Sequence, residues 1–212
     1  MALIERTGNF GRYYGNTYDT SSPLNQSQME LNAVYIYNSL SSNGWSLNAI
    51  CGMLGNMQTE SSINPGRWQS DRVGGDPTGH GYGLVQWTPY TKYTEWATNN
   101  GYSDPSTMDC NLARINYEVE NNLQWIPTYQ YPMTFEAFKT SNEDPYTLAM
   151  IFLANYERPA DPYQPARGQQ ANAWYEYLSG VVPTPGSRKK SHYKFVLFNR
   201  RRTRYGQRNI FK

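Results

Sequence analysis

A glycine-rich break in an otherwise helical pattern is the feature that most limits the fold of this chain. Residues 64–87 contain many glycines, two prolines and only short apolar runs, which favours turns and short strands over helix. On either side, apolar residues recur at helical spacing, for example between Met29 and Leu40 and between Leu148 and Tyr156. The sequence therefore predicts an α+β domain that is mainly helical, with a small β and loop insertion.

The two helices before the insertion have recognisable ends. Ser27 and Glu30 have the spacing of a capping box, which predicts that the first helix opens at Ser27. Ser46 is the expected N-cap of the second helix. Within that second helix, Gly52 and Gly55 lack side chains on one face, so they predict the close approach of another helix.

Charge is distributed very unevenly along the chain. Residues 1–180 contain all 17 acidic residues and 9 of the 19 Lys and Arg, which gives this part a net charge of −8. Residues 181–212 contain the other 10 basic residues and no acid. Segregation of this kind predicts an acidic globular domain followed by a basic segment.

These patterns divide the chain into four parts. Residues 1–26 are polar and aperiodic, which indicates an N-terminal arm that orders only against a partner. The predicted globular domain covers residues 27–180. A Pro- and Gly-containing linker follows at 181–186, and the basic segment occupies 187–212.

Several classes of site and of protein are not expected. The only histidines are His80 and His192, and the only cysteines are Cys51 and Cys110, so no metal-ligand cluster or other cofactor is predicted. Whether the two cysteines are free or form one disulfide stays open. An apolar run of about 18 residues is missing, so the sequence predicts neither a membrane span nor a secretory leader.

One carboxylate stands out beside the insertion. Glu60 lies near the predicted end of the second helix, and Met53 and Met57 are expected on its side. Cleavage of a glycosidic bond needs a protonated acid at the leaving oxygen, and both apolar neighbours and the negative end of a helix favour the protonated form of an acid. Glu60 is therefore a candidate general acid; an ordinary solvated glutamate is the other interpretation.

Three motifs around Glu60 resemble one family of enzymes. They lie, in order, at residues 51–65, 81–89 and 152–160, and include Glu60-Ser61, Gly83-Leu84-Val85-Gln86 and Asn155-Tyr156-Glu157-Arg158-Pro159. Together they resemble the lysozyme-like domain of peptidoglycan-degrading tail-tip and tail-knob proteins from short-tailed phages of Gram-positive bacteria. More distantly, they resemble goose-type lysozymes and lytic transglycosylases. The likeness extends over about residues 27–178.

The resemblance implies a lysozyme-like fold in which the insertion forms one wall of a cleft and Glu60 lies on the other. It also implies an N-acetylmuramidase that cleaves peptidoglycan glycan strands with Glu60 as general acid. Three alternatives stay open: a lytic transglycosylase acting on the same bond, an endolysin released at lysis, and a non-catalytic glycan-binding tail protein. The implied location is the tail tip of a phage virion, with the host cytoplasm before lysis as the alternative.

The resemblance assigns the neighbouring residues less firmly. Gln86 is expected to contact the acetamido sugar or the reacting water. Asn155 and Tyr156 occupy the place of an element near the active site in the transglycosylases, so the resemblance implies that they bind substrate. Their Asn-Tyr order differs from that element, so the role of each stays open. Three aromatic residues of the insertion either stack on sugar rings or pack in the core: Trp68, Tyr82 and Trp87.

The second carboxylate is undecided. A retaining hydrolase places it about 5 Å from the acid and an inverting one about 6.5–9.5 Å away. Asp76 and Asp71 both lie in the insertion and are the candidates, and a site without a second carboxylate is the remaining alternative. Glu157 is expected instead to form a structural ion pair with Arg158.

Three partners are considered for the basic segment at 187–212. Its Lys and Arg clusters match anionic wall polymers, and the apolar run Phe195–Phe198 between them matches docking to other phage tail proteins. Nucleic acid is the third, although no recognition fold accompanies the charge.

Overall fold

The computed structural model describes residues 3–16, 22–69 and 78–181. Helices dominate, which confirms the predicted α+β class. The elements, in chain order, are β1 (Ile4–Gly8), β2 (Gly11–Gly15), α1 (Gln26–Ser42), α2 (Leu47–Ser61), α3 (Thr91–Asn99), α4 (Met108–Glu120), α5 (Phe135–Thr140), α6 (Pro145–Phe152), a π-helical turn (Leu153–Glu157) and α7 (Pro165–Val181). Among these described residues, no helix is both long and apolar enough to cross a membrane.

Helix α2 is the centre of the domain. Every residue from Ala49 to Met57 is buried, as expected for a helix surrounded by others. Helices α6 and α7 pack against it at the two glycines: a Cβ on Gly52 would lie 2.8 Å from the Cβ of Leu148, and one on Gly55 would lie 2.2 Å from the carbonyl oxygen of Arg167. The predicted close approach at these glycines is confirmed.

The contact at Gly55 reverses the usual effect of replacing a helical glycine. Alanine normally stabilises a helix by about 1 kcal/mol relative to glycine. We expect Gly55→Ala to destabilise the domain by about 1–3 kcal/mol, because its methyl group forces α7 away from α2. Gly180→Ala, in the same α7 but with no atom near its Cβ, is the control and should be neutral or stabilising. Urea unfolding measures both, and a stabilised Gly55→Ala would contradict this packing.

The structure corrects the prediction for the N-terminal arm. Residues 3–16 form an antiparallel hairpin of β1 and β2 that packs on the helical domain. Tyr13 is 2% exposed, and the Asn32 side chain of α1 accepts from the backbone N–H of Tyr14 and donates to its carbonyl. The expectation that this segment orders only against a partner is wrong for residues 3–16. Neither IERTG nor GRYYG alternates apolar with polar residues, so the two strands lack the usual sequence signal.

The first helix also begins earlier than predicted. Its capping box uses Asn25 and Gln28, each side chain bonded to the other's backbone N–H at 3.0 Å, rather than Ser27 and Glu30. Asparagine caps a helix as well as serine does, so two overlapping signals competed. The predicted Ser46 cap of α2 is confirmed.

The described part of the insertion, residues 64–69 and 78–87, contains isolated bridges and is bonded to the helices. Tyr82 forms isolated bridges with Trp68 and with Trp87. The Ser61 hydroxyl at the end of α2 donates to the carbonyl of Leu84, and the Asn111 side chain of α4 accepts from the backbone N–H of Leu84. These bonds fix the insertion directly beside the C-terminal end of α2.

Candidate active site

A cavity of about 550 Å³ opens at the C-terminal end of α2. Glu60 lies on one side of it, residues of the insertion lie on another, and the π-helical turn closes the third. The residues that line it are Thr59, Glu60, Arg67, Gln69, Val85, Gln86, Trp87, Thr88, Lys92, Gln124, Tyr156, Glu157, Arg158 and Pro159. The predicted cleft between Glu60 and the insertion is therefore present in the fold.

Glu60 is held in place by a buried arginine. Its side chain is 22% exposed, and its Oε1 lies 2.6 Å from Nη2 of Arg167 on α7. The same guanidinium donates to Oδ1 of Asn56 at 3.2 Å and to Oε1 of Gln164 at 2.7 Å. Arg167 is thus fixed on three sides, and it fixes the orientation of the Glu60 carboxylate. Met53 and Met57, which were expected beside Glu60, lie in the core. The carboxylate of Glu60 contacts Arg167.

Gln86 lines the cavity, and its side-chain nitrogen is bonded to the backbone of the insertion. Its backbone has the left-handed φ of 50°, and its Nε2 donates to the carbonyl oxygens of Arg67 and Gly83, both at 2.9 Å. Among residues 3–16, 22–69 and 78–181, its Oε1 has no hydrogen-bond donor. A fixed amide with a free carbonyl oxygen suits an N–H or O–H group of a ligand.

Glu157 contradicts its predicted role. The Arg158 guanidinium donates to the carbonyl oxygens of Gln124 and Asn155, and no Glu157–Arg158 ion pair forms in the described part of the chain. The left-handed backbone at Arg158 ends the π-helical turn there, and its side chain reaches back over the loop. Burial raises the pKa of Glu157 well above its ordinary value, and the nearby charge of Glu60 raises it further.

The chain matches a known protein family. The family model for phage tail lysozyme matches residues 31–178, which include Glu60, Gln86 and Glu157. The chain belongs to the phage tail lysozyme family.

A curated relative of this chain is Morphogenesis protein 1 of Bacillus phage B103. The two are 53% identical over 167 residues, which make up 79% of this chain and 44% of the relative. The chain thus spans less than half the length of that relative. The resemblance found in the sequence motifs is confirmed at the level of the family.

Two aromatic residues of the insertion are in the core. Tyr82 is 0% exposed and Trp68 is 1% exposed, and their rings pack against each other with centroids 4.5 Å apart. Neither ring has a face free for a sugar, so the stacking interpretation is wrong for both and the core interpretation holds. Burial of such large rings offsets the low aliphatic content.

Trp87 and Tyr156 line the cavity but are also almost wholly buried. Both bond to Glu118 of α4: the Trp87 Nε1 donates to its Oε1 at 3.0 Å and the Tyr156 hydroxyl to its Oε2 at 2.6 Å. Arg114 completes the cluster, with its Nε 2.9 Å from the Glu118 Oε1. Burial raises the pKa of Glu118, while the three donors act in the opposite direction. The cluster fixes the floor of the cavity.

Asn155 is a structural residue. It is buried outside the cavity lining. Its Oδ1 accepts from the backbone N–H and hydroxyl of Thr128, and its Nδ2 donates to the carbonyl of Tyr131. The predicted contact of Asn155 with substrate is therefore wrong, because both polar atoms of its side chain are hydrogen-bonded to a neighbouring loop.

The two aspartates considered as second carboxylate cannot be placed relative to Glu60. Asp71 and Asp76 both lie outside the described residues. Sequence reasoning missed Arg167 and the approach of Glu157 to the cavity. Arg167 is 107 positions from Glu60, and nothing in local pattern signals such a contact.

Proposed function

We propose that this protein is an N-acetylmuramidase that cleaves peptidoglycan glycan strands, with Glu60 as general acid. The observation that carries the proposal is the position of Glu60, at a rigid helix end and facing the insertion across a cavity of about 550 Å³. That volume lies within the range of about 300–1,000 Å³ usual for ligand sites. Family membership supports the same class of reaction.

The proposed chemistry divides the work between two side chains. Glu60 gives a proton to the glycosidic oxygen as the bond from that oxygen to the sugar C1 breaks. Water adds to C1 and loses a proton. The free Oε1 of Gln86 accepts a hydrogen bond from the acetamido N–H or from the reacting water.

Product analysis tests this proposal. Purified Gram-positive peptidoglycan is digested, reduced with borohydride and analysed by mass spectrometry. A muramidase leaves reducible N-acetylmuramic acid ends, whereas a lytic transglycosylase leaves anhydro-muramic ends that borohydride does not change. Binding to the wall without any released fragment would identify a non-catalytic tail protein and overturn the proposal.

The proposed location is the phage virion, at the tip of the tail, where the enzyme opens the host wall during entry. The family is named for phage tails, and the relative from Bacillus phage B103 is named a morphogenesis protein. Mass spectrometry of gradient-purified particles tests the location. An endolysin is abundant in the lysate but absent from particles, and that result would exclude a virion role.

The basic residues 187–212, which lie outside the described residues, are proposed to hold the enzyme on anionic wall polymers by charge. We expect removal of 187–212 to weaken wall association strongly at low salt and little at high salt, because the Debye length is about 8 Å near physiological ionic strength. Pull-down on purified wall at several salt concentrations measures this. Unchanged wall binding with defective particle assembly would instead support docking to other tail proteins through Phe195–Phe198.

A further inference from the structure

Because Glu60 is ion-paired with Arg167, its proposed role as general acid requires a source for its proton. A guanidinium at 2.6 Å stabilises the carboxylate form of an acid, yet a general acid must be protonated when its substrate reacts. Arg167 is buried and bonded to three side chains, so it stays beside Glu60. A second protonatable group beside Glu60 would supply that proton.

Glu157 has the surroundings of such a store. It lines the same cavity as Glu60. Its Oε1 is completely enclosed, and within residues 3–16, 22–69 and 78–181 that atom has no hydrogen-bond partner. An enclosed, unpartnered carboxylate is costly, whereas a protonated carboxyl in the same place is not.

The charged groups that face Glu157 come from four elements of the fold. Glu60 on α2 and Glu118 on α4 disfavour a negative charge on Glu157, while Arg167 on α7 and Arg158 after the π-helical turn favour one. Burial adds to the two acids, and together they outweigh the two arginines. This balance favours the protonated form of Glu157.

We propose that Glu157 is the second carboxyl of the active site and that Glu60 and Glu157 share a single proton, which rests on Glu157. This inference rests on the proposed hydrolase function and deepens it. Glu157 acts through Glu60 and is therefore a positioning residue for the proton.

The proposed cycle conserves atoms and charge. In the proposed resting site the shared proton is on Glu157. When a glycan strand binds, the proton passes through one bridging water to Glu60, which gives it to the glycosidic oxygen as the bond to C1 breaks. The water that adds to C1 releases one proton, which returns to the carboxylate pair. The net reaction is addition of water, and Glu157 is protonated again.

Carboxyl NMR tests the shared proton without any need for activity. The full-length protein is labelled with ¹³C at glutamate side-chain carboxyls, and Glu157→Gln and Glu60→Gln assign the two resonances. We expect Glu157 to titrate well above the ordinary range of about 4–5 for a glutamate. In Glu60→Gln, its midpoint should fall by about one pH unit or more, because a neighbouring negative charge is removed. Titration of Glu157 in the ordinary range would overturn the proposal.

The pH dependence of wall hydrolysis is the second readout. We expect Glu157→Gln to lower kcat about tenfold or more above neutral pH, with KM little changed because carboxyl and amide have the same shape. The alkaline limb of the profile should move to lower pH, since Glu60 beside Arg167 has lost its proton store. Glu157→Asp should restore the limb, and Glu143→Gln, an exposed glutamate, is the control.

The outcomes separate this inference from the proposed function. An unchanged alkaline limb in Glu157→Gln, with Glu60→Gln inactive, overturns the shared proton and leaves the muramidase in place. Absence of glycan cleavage by the wild-type protein overturns the proposed function. In that case the NMR titration still decides whether the two carboxyls share a proton.

Discussion

Glu60→Gln is expected to lower wall hydrolysis by about 10²–10⁴-fold, the usual contribution of a general acid. Glutamine keeps the shape of the side chain and can still accept a hydrogen bond from Arg167, but it cannot supply a proton to the leaving oxygen. The domain should therefore remain folded and should still bind purified wall. Release of soluble reducing ends measures turnover, and sedimentation with the wall measures binding.

The control for this variant is Glu95→Gln, an exposed glutamate on α3 that lies outside the cavity. It should keep wild-type turnover and binding. Near-normal hydrolysis by Glu60→Gln would show that another group protonates the leaving oxygen, and it would remove the central assignment of the site. Loss of wall binding together with turnover would indicate that the substitution damages the cleft itself.

Glu118→Ala is expected to destabilise the domain by about 3–5 kcal/mol, the usual result of removing one partner from a buried ion pair. The substitution leaves three enclosed donors without an acceptor: the Trp87 indole, the Tyr156 hydroxyl and the Arg114 guanidinium. A buried donor without an acceptor destabilises the fold by the full free energy of its lost hydration. Urea unfolding followed by tryptophan fluorescence measures the change.

Glu120→Ala lies two residues further along α4 and is exposed, so it is the matched control for helix propensity and net charge. It should change the free energy of unfolding by less than about 0.5 kcal/mol. If the two variants had equal stability, the Glu118 cluster would not support the cavity floor. Because Trp87 and Tyr156 line the cavity, Glu118→Ala should also lower turnover in the fraction that stays folded.

The position of Arg167 changes the view of Glu60 that sequence alone supports. From the sequence, apolar neighbours and the helix end account for a protonated acid. In the fold, the carboxylate faces a guanidinium instead. The proposed site then depends on a pair of carboxyls with unequal surroundings: Glu60 is ion-paired, and the Oε1 of Glu157 is enclosed. Unequal surroundings are how a protein assigns different protonation states to two identical side chains.

Local signals in the sequence were sufficient for much of the framework. Gly52 and Gly55 marked the face of α2 that meets α6 and α7, because a missing Cβ is a property of the residue itself. Ser46 marked the start of α2 for the same reason: a cap depends on residues within one turn. The glycine-rich insertion and the carboxylate just before it were also visible as local composition.

The tertiary structure decided which side chains face the cavity. Trp68 and Tyr82 are residue types that can stack on sugar rings, but both lie in the core. Asn155 holds a loop. Burial depends on what packs against a residue from elsewhere in the chain. Arg167 reaches Glu60 from 107 positions away. Contacts of that range leave no period or spacing in the sequence, since they depend on how whole helices pack.

Glu157 shows most clearly what the sequence determines and what only the packed fold decides. The sequence determined that an acid stands next to Arg158, and adjacency alone predicted an ion pair. The left-handed backbone at Arg158 instead sends its guanidinium to the carbonyls of Gln124 and Asn155 and leaves Glu157 at the cavity. Neighbouring residues share a position in the chain but not a direction in space, and only the packed fold sets the direction.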